Sequence, residues 1–83
     1  SLYNNMVKKK KVNKIFVKKP KVGESYWFWF AGTITHGELH GTADGLTKHY
    51  GEPWYTLIDK KGTKYPTSIF NLRYDKPIYK QDV

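Results

Sequence analysis

Aromatic residues are most concentrated in a single run of six residues, Ser25–Phe30, which reads SYWFWF. Aromatic side chains favour β-strands, and neither glycine nor proline interrupts the run. Alternate side chains of a strand lie on opposite faces, so the run divides into two sets. One set consists of Tyr26, Phe28 and Phe30, and the other consists of Trp27 and Trp29. We predict that the first set fills the core of a small β-domain and that the two tryptophans lie at its surface.

Glycine recurs at short intervals between Gly32 and Gly51, directly after the aromatic run. Interior glycines destabilise helices, whereas they are typical of bent strands and irregular loops. We therefore predict a second strand near Glu38–Ala43 and a loop over Asp44–Glu52, with no helix in this stretch.

The second half of the chain predicts two more strands, a short helical turn and the start of a final strand. In chain order these elements are Trp54–Asp59, Thr63–Thr67, Ser68–Leu72 and Arg73–Tyr74. The residues between the first two, Lys60-Lys61-Gly62, are typical of a tight hairpin turn in which Gly62 adopts a positive φ.

Lysines alternate irregularly with apolar residues over residues 7–21. Val12–Val17 could form an edge strand, whose lysines would discourage pairing with another chain, or it could belong to a disordered tail. We accordingly divide the chain into a flexible basic N-terminal arm at residues 1–21, a barrel domain at 22–76 and a C-terminal tail at 77–83.

The net charge of +8 is distributed unevenly along the chain. Residues 1–23 contain eight lysines and no acidic residue, whereas residues 24–83 contain seven basic and seven acidic residues. The whole excess of positive charge therefore lies in the arm, where attraction of a polyanion would begin.

Lysines can neutralise phosphates, and exposed aromatic side chains can stack on bases, so both types belong to a predicted nucleic-acid-binding set. The set consists of Lys8, Lys9, Lys10, Lys11, Lys14, Lys18, Lys19, Lys21, Trp27, Trp29, Lys60, Lys61, Lys64 and Arg73. Both parts of this set have alternatives that remain open. The arm could be a solvated tail, or it could contact an acidic membrane surface or protein. Any one aromatic residue could simply belong to the core.

Other chemistry has little support in the sequence. The absence of cysteine excludes disulfides and thiolate metal sites. On a strand, His36, Glu38 and His40 would share one face and could bind zinc together with His49, but isolated surface histidines are much commoner, so we predict no metal site. No serine has an evident histidine and acid partner, and no paired carboxylates stand out. We predict neither an enzyme nor a cofactor.

Several short segments follow one another at spacings that are typical of a known class of small barrel. They are Val22-Gly23-Glu24, Gly32, Gly37-Glu38-Leu39, Trp54-Tyr55-Thr56-Leu57, Asp59-Lys60-Lys61-Gly62 and Ile69-Phe70-Asn71-Leu72. Over residues 20–76 this order resembles SH3-like barrels of the KOW or Tudor kind. The resemblance implies an all-β, five-stranded SH3-like barrel that binds RNA, DNA, a ribosome, a peptide or methylated lysine. The two-faced SYWFWF strand and the glycine-dense middle depart from those modules, which leaves the subfamily open.

Charge and aromatic content together predict a non-catalytic nucleic-acid-binding accessory or regulatory protein, whose partner is DNA or RNA bound with low specificity. The alternative is a protein-interaction module, for example a phage or bacterial regulator that docks on a host complex, because the barrel itself has no net charge. We expect a cytoplasmic or nucleoid-associated protein that is neither secreted nor inserted in a membrane.

Overall fold

The computed structural model describes residues 15–78 of the chain. Four antiparallel strands form one sheet in the order β1-β2-β3-β4, and this sheet curls into a half-barrel. The strands are β1 (Ser25–Phe30), β2 (Thr33–Thr42), β3 (Trp54–Ile58) and β4 (Lys64–Ser68). The all-β prediction is thus confirmed, and the predicted first, third and fourth strands agree with the structure to within one residue at each end.

Two hairpin turns set the register of this sheet. Ala31 and Gly32 join β1 to β2 and both adopt positive φ angles, 50° and 78°, as a two-residue type I′ turn requires. Gly62, in the turn between β3 and β4, has a φ of 86°, which confirms the prediction for that hairpin. Because each turn is short, the strands it joins pair residue by residue along their length.

The second strand begins five residues earlier than predicted, because glycine does not interrupt it. A Cβ atom on Gly37 would lie 3.2 Å from the carbonyl oxygen of Ile58, so glycine allows β2 and β3 to approach closely. The register shifts between Leu39 and Gly41, where an irregularity bends the strand.

The predicted loop over Asp44–Glu52 is wrong, since it contains a helix, α1 (Asp44–Tyr50). Glycine penalises a helix interior, but here one glycine lies in the first turn and Gly51 ends the helix. Gly51 adopts the left-handed conformation and its N–H donates to the Thr47 carbonyl at 2.9 Å, which is a common helix stop. The Thr47 hydroxyl accepts a hydrogen bond from the Trp54 N–H at 2.8 Å and so ties α1 to β3.

The predicted final strand is reduced to isolated bridges at one residue, Arg73, so five-stranded closure is not observed among residues 15–78. Arg73 exchanges backbone hydrogen bonds of 2.9 and 2.8 Å with Trp27 of β1 and forms a second bridge with Phe16. Arg73 lies between a 3-10 turn, Ile69–Asn71, and a bend at Tyr74 and Asp75, so its pairing with β1 does not extend into a longer strand. The 3-10 turn itself confirms the predicted helical turn.

The core lies on the concave face of the half-barrel, and its six buried apolar residues come from five separate segments of chain. They are Val17, Tyr26, Phe28, Leu39, Leu57 and Leu72, with Tyr55 and Tyr65 packed against them. The predicted core set of β1 is therefore confirmed for Tyr26 and Phe28. For Phe30 the core assignment is wrong: the residue shares their face, but it is 38% exposed because it lies beside the Ala31-Gly32 turn, at the rim of the sheet.

The buried position of Val17 bears on the two alternatives for the N-terminal segment. Its N–H donates to the Leu72 carbonyl at 3.1 Å, and the Tyr74 N–H donates to the Ile15 carbonyl at 2.9 Å. Residues 15–17 therefore line the sheet edge. The remainder of the predicted edge strand, residues 12–14, lies outside the described residues, as do most of the predicted arm and the end of the predicted C-terminal tail.

Candidate nucleic-acid interface

The convex face of the β1–β2 hairpin carries an aromatic pair. The register places Trp27 of β1 directly opposite His36 of β2. Their rings stack with centroids 4.2 Å apart and planes inclined by 24°. Side chains that face each other across an antiparallel pair are close enough for such contacts, so the pair follows from the Ala31-Gly32 turn that sets the register.

A shallow depression lies beside this pair. Its lining consists of Trp27, Gly32, Thr33, Ile34 and Lys76. The Lys76 ammonium lies 5.5 Å from the Trp27 ring centroid, within the range of a cation–π contact. Gly32 has no neighbour within 4 Å of where a Cβ would stand, so the rim of the depression is open at the turn. One wall of the depression is therefore a large aromatic ring, and another carries the positive charge of an exposed lysine.

A second positive charge lies on the other side of the stacked pair. Burial, and secondarily the nearby charge of Lys60, lower the pKa of His36 below its ordinary value of 6.5. The imidazole is therefore neutral at neutral pH and acts as an aromatic partner to Trp27. The positive charges around the pair are then supplied by the ammonium groups of Lys60 and Lys76.

The turn that presents Lys60 is held by the Asp59 carboxylate. This group accepts hydrogen bonds of 2.9 Å each from the backbone N–H groups of Lys61 and Thr63 and from the Tyr65 hydroxyl. These hydrogen bonds stabilise the charged carboxylate and so lower the pKa of Asp59. The bond from Thr63 has the largest effect. Lys60 and Lys61 consequently project from a defined turn, both exposed to solvent.

Arg73 and Trp29 are used within the fold. The Arg73 guanidinium carbon lies 5.2 Å from the Trp29 ring centroid and 5.4 Å from that of Phe16. Its side chain is only 12% exposed, and its Nη2 contacts an Asp75 carboxylate oxygen at 3.3 Å. Trp29 Nε1 and Arg73 Nε are buried and have no acceptor among residues 15–78. The guanidinium thus covers the Trp29 ring, and neither group offers a free stacking or phosphate-binding surface.

Apart from Trp29 and Arg73, the predicted site residues fall into three groups in the structure. Trp27 and Lys60 lie on either side of His36, on the convex face. The other exposed members, which the structure describes but does not bring to the Trp27 ring, are Lys18, Lys19, Lys21, Lys61 and Lys64. Those outside the described residues are Lys8, Lys9, Lys10, Lys11 and Lys14.

Sequence reasoning missed two functional candidates, His36 and Lys76. His36 could have been found by pairing β1 and β2 around a two-residue turn at Ala31-Gly32, since this register places it opposite Trp27. Lys76 had no signal in the sequence, because it reaches Trp27 only after Arg73 pairs with β1 and brings the following residues across the sheet.

The predicted face of His36, Glu38 and His40 does not form a common site. His40 Nε2 lies 3.4 Å from a Glu38 carboxylate oxygen, while His36 stacks on Trp27. His49, on α1, instead packs edge-on against Tyr50. In the part of the chain between residues 15 and 78, no three potential ligand side chains come together as a metal site would require.

No family model matches the chain, and neither the curated proteins nor the solved structures contain a significant match. Across residues 15–78, no helix has both the length and the apolar character needed to cross a bilayer. The side chains of the convex face are therefore the basis for a functional assignment.

Proposed function

We propose that the protein is a non-catalytic accessory protein that binds single-stranded nucleic acid. The single observation that carries the proposal is the Trp27–His36 stack, which borders an open depression and has a lysine on each side. A flat apolar ring with flanking ammonium groups matches a nucleotide, which combines a flat base with a phosphate.

In the proposed complex, the exposed Lys76 side chain moves away from the Trp27 ring, and one unpaired base enters the depression and stacks on that face of the ring. The Lys76 ammonium contacts an adjacent phosphate, and Lys60 contacts the backbone beyond His36. Stacking of one base on an aromatic side chain contributes about 1–3 kcal/mol. Duplex bases present only their edges, so this mode favours single strands, and it reads little sequence because every base has a flat face.

The lysine arm supplies the long-range component of binding. Each phosphate that a lysine neutralises releases counterions, so affinity falls as salt rises, by about 0.7 in log–log slope per contact on a single strand. Residues 1–14 contain Lys8, Lys9, Lys10, Lys11 and Lys14. If all five contact phosphates, removing them reduces the slope by about 3.5.

We further propose that the half-barrel is a divergent SH3-like barrel in which Arg73 occupies the place of the final strand. The four consecutive antiparallel strands, the 3-10 turn after β4 and the return of the chain to β1 at Arg73 support this assignment.

The test is a fluorescence-anisotropy titration of labelled single-stranded DNA and RNA with Trp27→Leu, Lys76→Gln and the matched control Tyr50→Leu. Tyr50 is an exposed aromatic residue on α1 that stacks on Trp54 with centroids 4.9 Å apart, outside the depression. Circular dichroism first establishes that each variant is folded.

We expect Trp27→Leu to weaken binding by about 5- to 150-fold at unchanged salt slope, since stacking releases no counterions. Lys76→Gln is expected to reduce the slope by about 0.7, and Tyr50→Leu to change neither quantity. Equal affinity of folded Trp27→Leu and the unaltered chain contradicts the proposed site.

The role of the arm is tested separately by deleting residues 1–14. The deletion stops before Phe16 and Val17, because these residues pair with Arg73 and Leu72. We expect a folded domain with much weaker oligonucleotide binding and a flatter salt dependence. Unchanged affinity refutes the contribution of the arm without affecting that of Trp27.

A further inference from the structure

An apolar groove lies at the edge of the half-barrel, away from the Trp27 depression. It is lined by Phe16, Val17 and Lys18 on one side and by Ile69 and Phe70 on the other. Phe16 is 51% exposed and Phe70 is 72% exposed. Exposed apolar side chains that cluster beside a groove, rather than lying singly, mark an interaction surface.

The exposed ring of Phe70 is held in place by the fold. The Ser68 hydroxyl accepts a hydrogen bond from the Phe70 N–H at 3.2 Å, and the Ile69 N–H donates to the Pro53 carbonyl at 2.9 Å. The next side chain, Asn71, donates from Nδ2 to the Trp29 carbonyl at 2.7 Å. The 3-10 turn is thus anchored on both sides of Phe70, so the backbone that carries the ring needs little further ordering on binding.

The opposite wall of the groove is a sheet edge. Ile15 and Val17 use their backbone groups to pair with Tyr74 and Leu72. In this antiparallel pattern the N–H and C=O of Phe16 point away from Arg73, toward a side on which no backbone group among residues 15–78 pairs with them. An extended chain can pair with such an edge and place alternate side chains into adjacent pockets.

The charged residues beside the groove indicate which kind of partner fits it. Lys18 belongs to the lining, Lys19 follows it, and Lys14 precedes the edge in sequence. The nearby carboxylate of Glu52 is engaged by the Ser68 hydroxyl. A second copy of this chain would bring the same lysines to the interface, and like charges across an interface are unfavourable.

We propose that this groove is a docking site for an extended acidic peptide of a partner protein. The peptide adds a strand along Phe16, inserts an apolar side chain between Phe16 and Phe70, and places acidic residues near Lys18 and Lys19. The site goes beyond nucleic-acid binding and does not depend on it, because it shares no residue with the Trp27 depression.

The test selects random linear peptides displayed on phage against the full chain, with Phe70→Ser and Ile78→Ser as matched variants. Ile78 is 92% exposed, and it lies outside the groove lining, so its replacement removes an exposed apolar side chain of similar size elsewhere. Enriched peptides are synthesised and titrated by fluorescence anisotropy. In a second set, alternate backbone amides are methylated to remove donors on one edge of the peptide.

We expect enriched peptides to combine Asp or Glu with aromatic or branched apolar residues. Phe70→Ser should weaken their binding by about tenfold or more, whereas Ile78→Ser should leave it unchanged. Methylation of one alternating set of amides should abolish binding, and methylation of the other set should not. Phe70→Ser should leave oligonucleotide affinity intact, and Trp27→Leu should leave peptide affinity intact, so the two proposals fail separately.

Three results would overturn the proposal: no enrichment, enrichment of peptides without acidic residues, or equal binding of the peptides to Phe70→Ser. Sedimentation of the full chain supplies a fourth. A dimer that Phe70→Ser dissociates and Ile78→Ser does not would show that a second copy occupies the groove instead.

Discussion

Replacement of Phe28 with alanine tests which face of β1 forms the core. Phe28 is 0% exposed, and its ring meets Tyr65 edge-on with centroids 5.8 Å apart. Truncation of a fully buried phenylalanine costs about 3–5 kcal/mol, because apolar contacts are lost and a cavity remains. The 64 residues from 15 to 78 are expected to have a free energy of unfolding of about 3–10 kcal/mol. Phe28→Ala therefore removes a third or more of the total stability.

The matched control is Phe30→Ala, on the same face of the same strand. Its ring is 38% exposed and meets Tyr65 edge-on at 5.0 Å. Because only part of the ring is removed from water and the rim can relax, we expect a cost of about 1–2 kcal/mol. The ratio of the two costs reports the depth of each residue without any assumption about the total stability.

The measurement is urea unfolding followed by tryptophan fluorescence, with the free energy obtained by linear extrapolation. If Phe28→Ala does not fold, Phe28→Leu retains most of the volume and is expected to fold with a cost of about 1–2 kcal/mol. A cost for Phe28→Ala that is no larger than the cost for Phe30→Ala refutes the burial order. If Trp27→Ala unfolds the domain and Phe28→Ala does not, the two faces of β1 are inverted.

Gly62→Val is expected to cost about 1 kcal/mol or more in urea unfolding, because the position has a φ of 86° and open space, so the penalty is backbone strain; a neutral result would place the turn elsewhere. The His36 imidazole, followed by NMR, is expected to titrate below pH 6.5, because burial and the charge of Lys60 both lower its pKa. Burial is the larger cause, so Lys60→Ala should raise the pKa only part of the way back to its ordinary value. Because the folded chain binds this proton less readily than the unfolded chain, the contribution of His36 to stability is complete above about pH 6.5 and falls as the pH drops toward the folded pKa. His36→Gln should remove this part of the pH dependence, and an unchanged profile would contradict it.

The strand elements and the hairpin turn followed from local patterns. The β3–β4 hairpin was predictable because Gly62 and the flanking apolar runs are within a few residues of one another, and turn chemistry acts over that distance. The alternation in β1 identified Tyr26 and Phe28 as core residues, because the pleat fixes which side chains share a face. The pattern could not show that Phe30 lies at the rim, since that depends on where the sheet ends.

The helix α1 shows the limit of composition as a guide. The glycine-rich stretch was interpreted as a loop, yet Gly51 ends a helix that begins at Asp44. Whether a glycine weakens a helix or stops it depends on its position within the helix, and here α1 is further secured by the hydrogen bond between Thr47 and Trp54. A seven-residue helix has little stability of its own, so packing on β3 decides that it forms.

By itself the sequence determined the all-β class, the charge of the arm and the two faces of β1, because each depends on residue type or on near neighbours. Only the tertiary structure decided which residues come together at the candidate sites. Arg73 lies between Phe16 and Trp29, and Lys76 reaches Trp27, because the chain returns to β1 after β4. Contacts between residues this far apart depend on how the whole sheet curls, and no local pattern records that curvature.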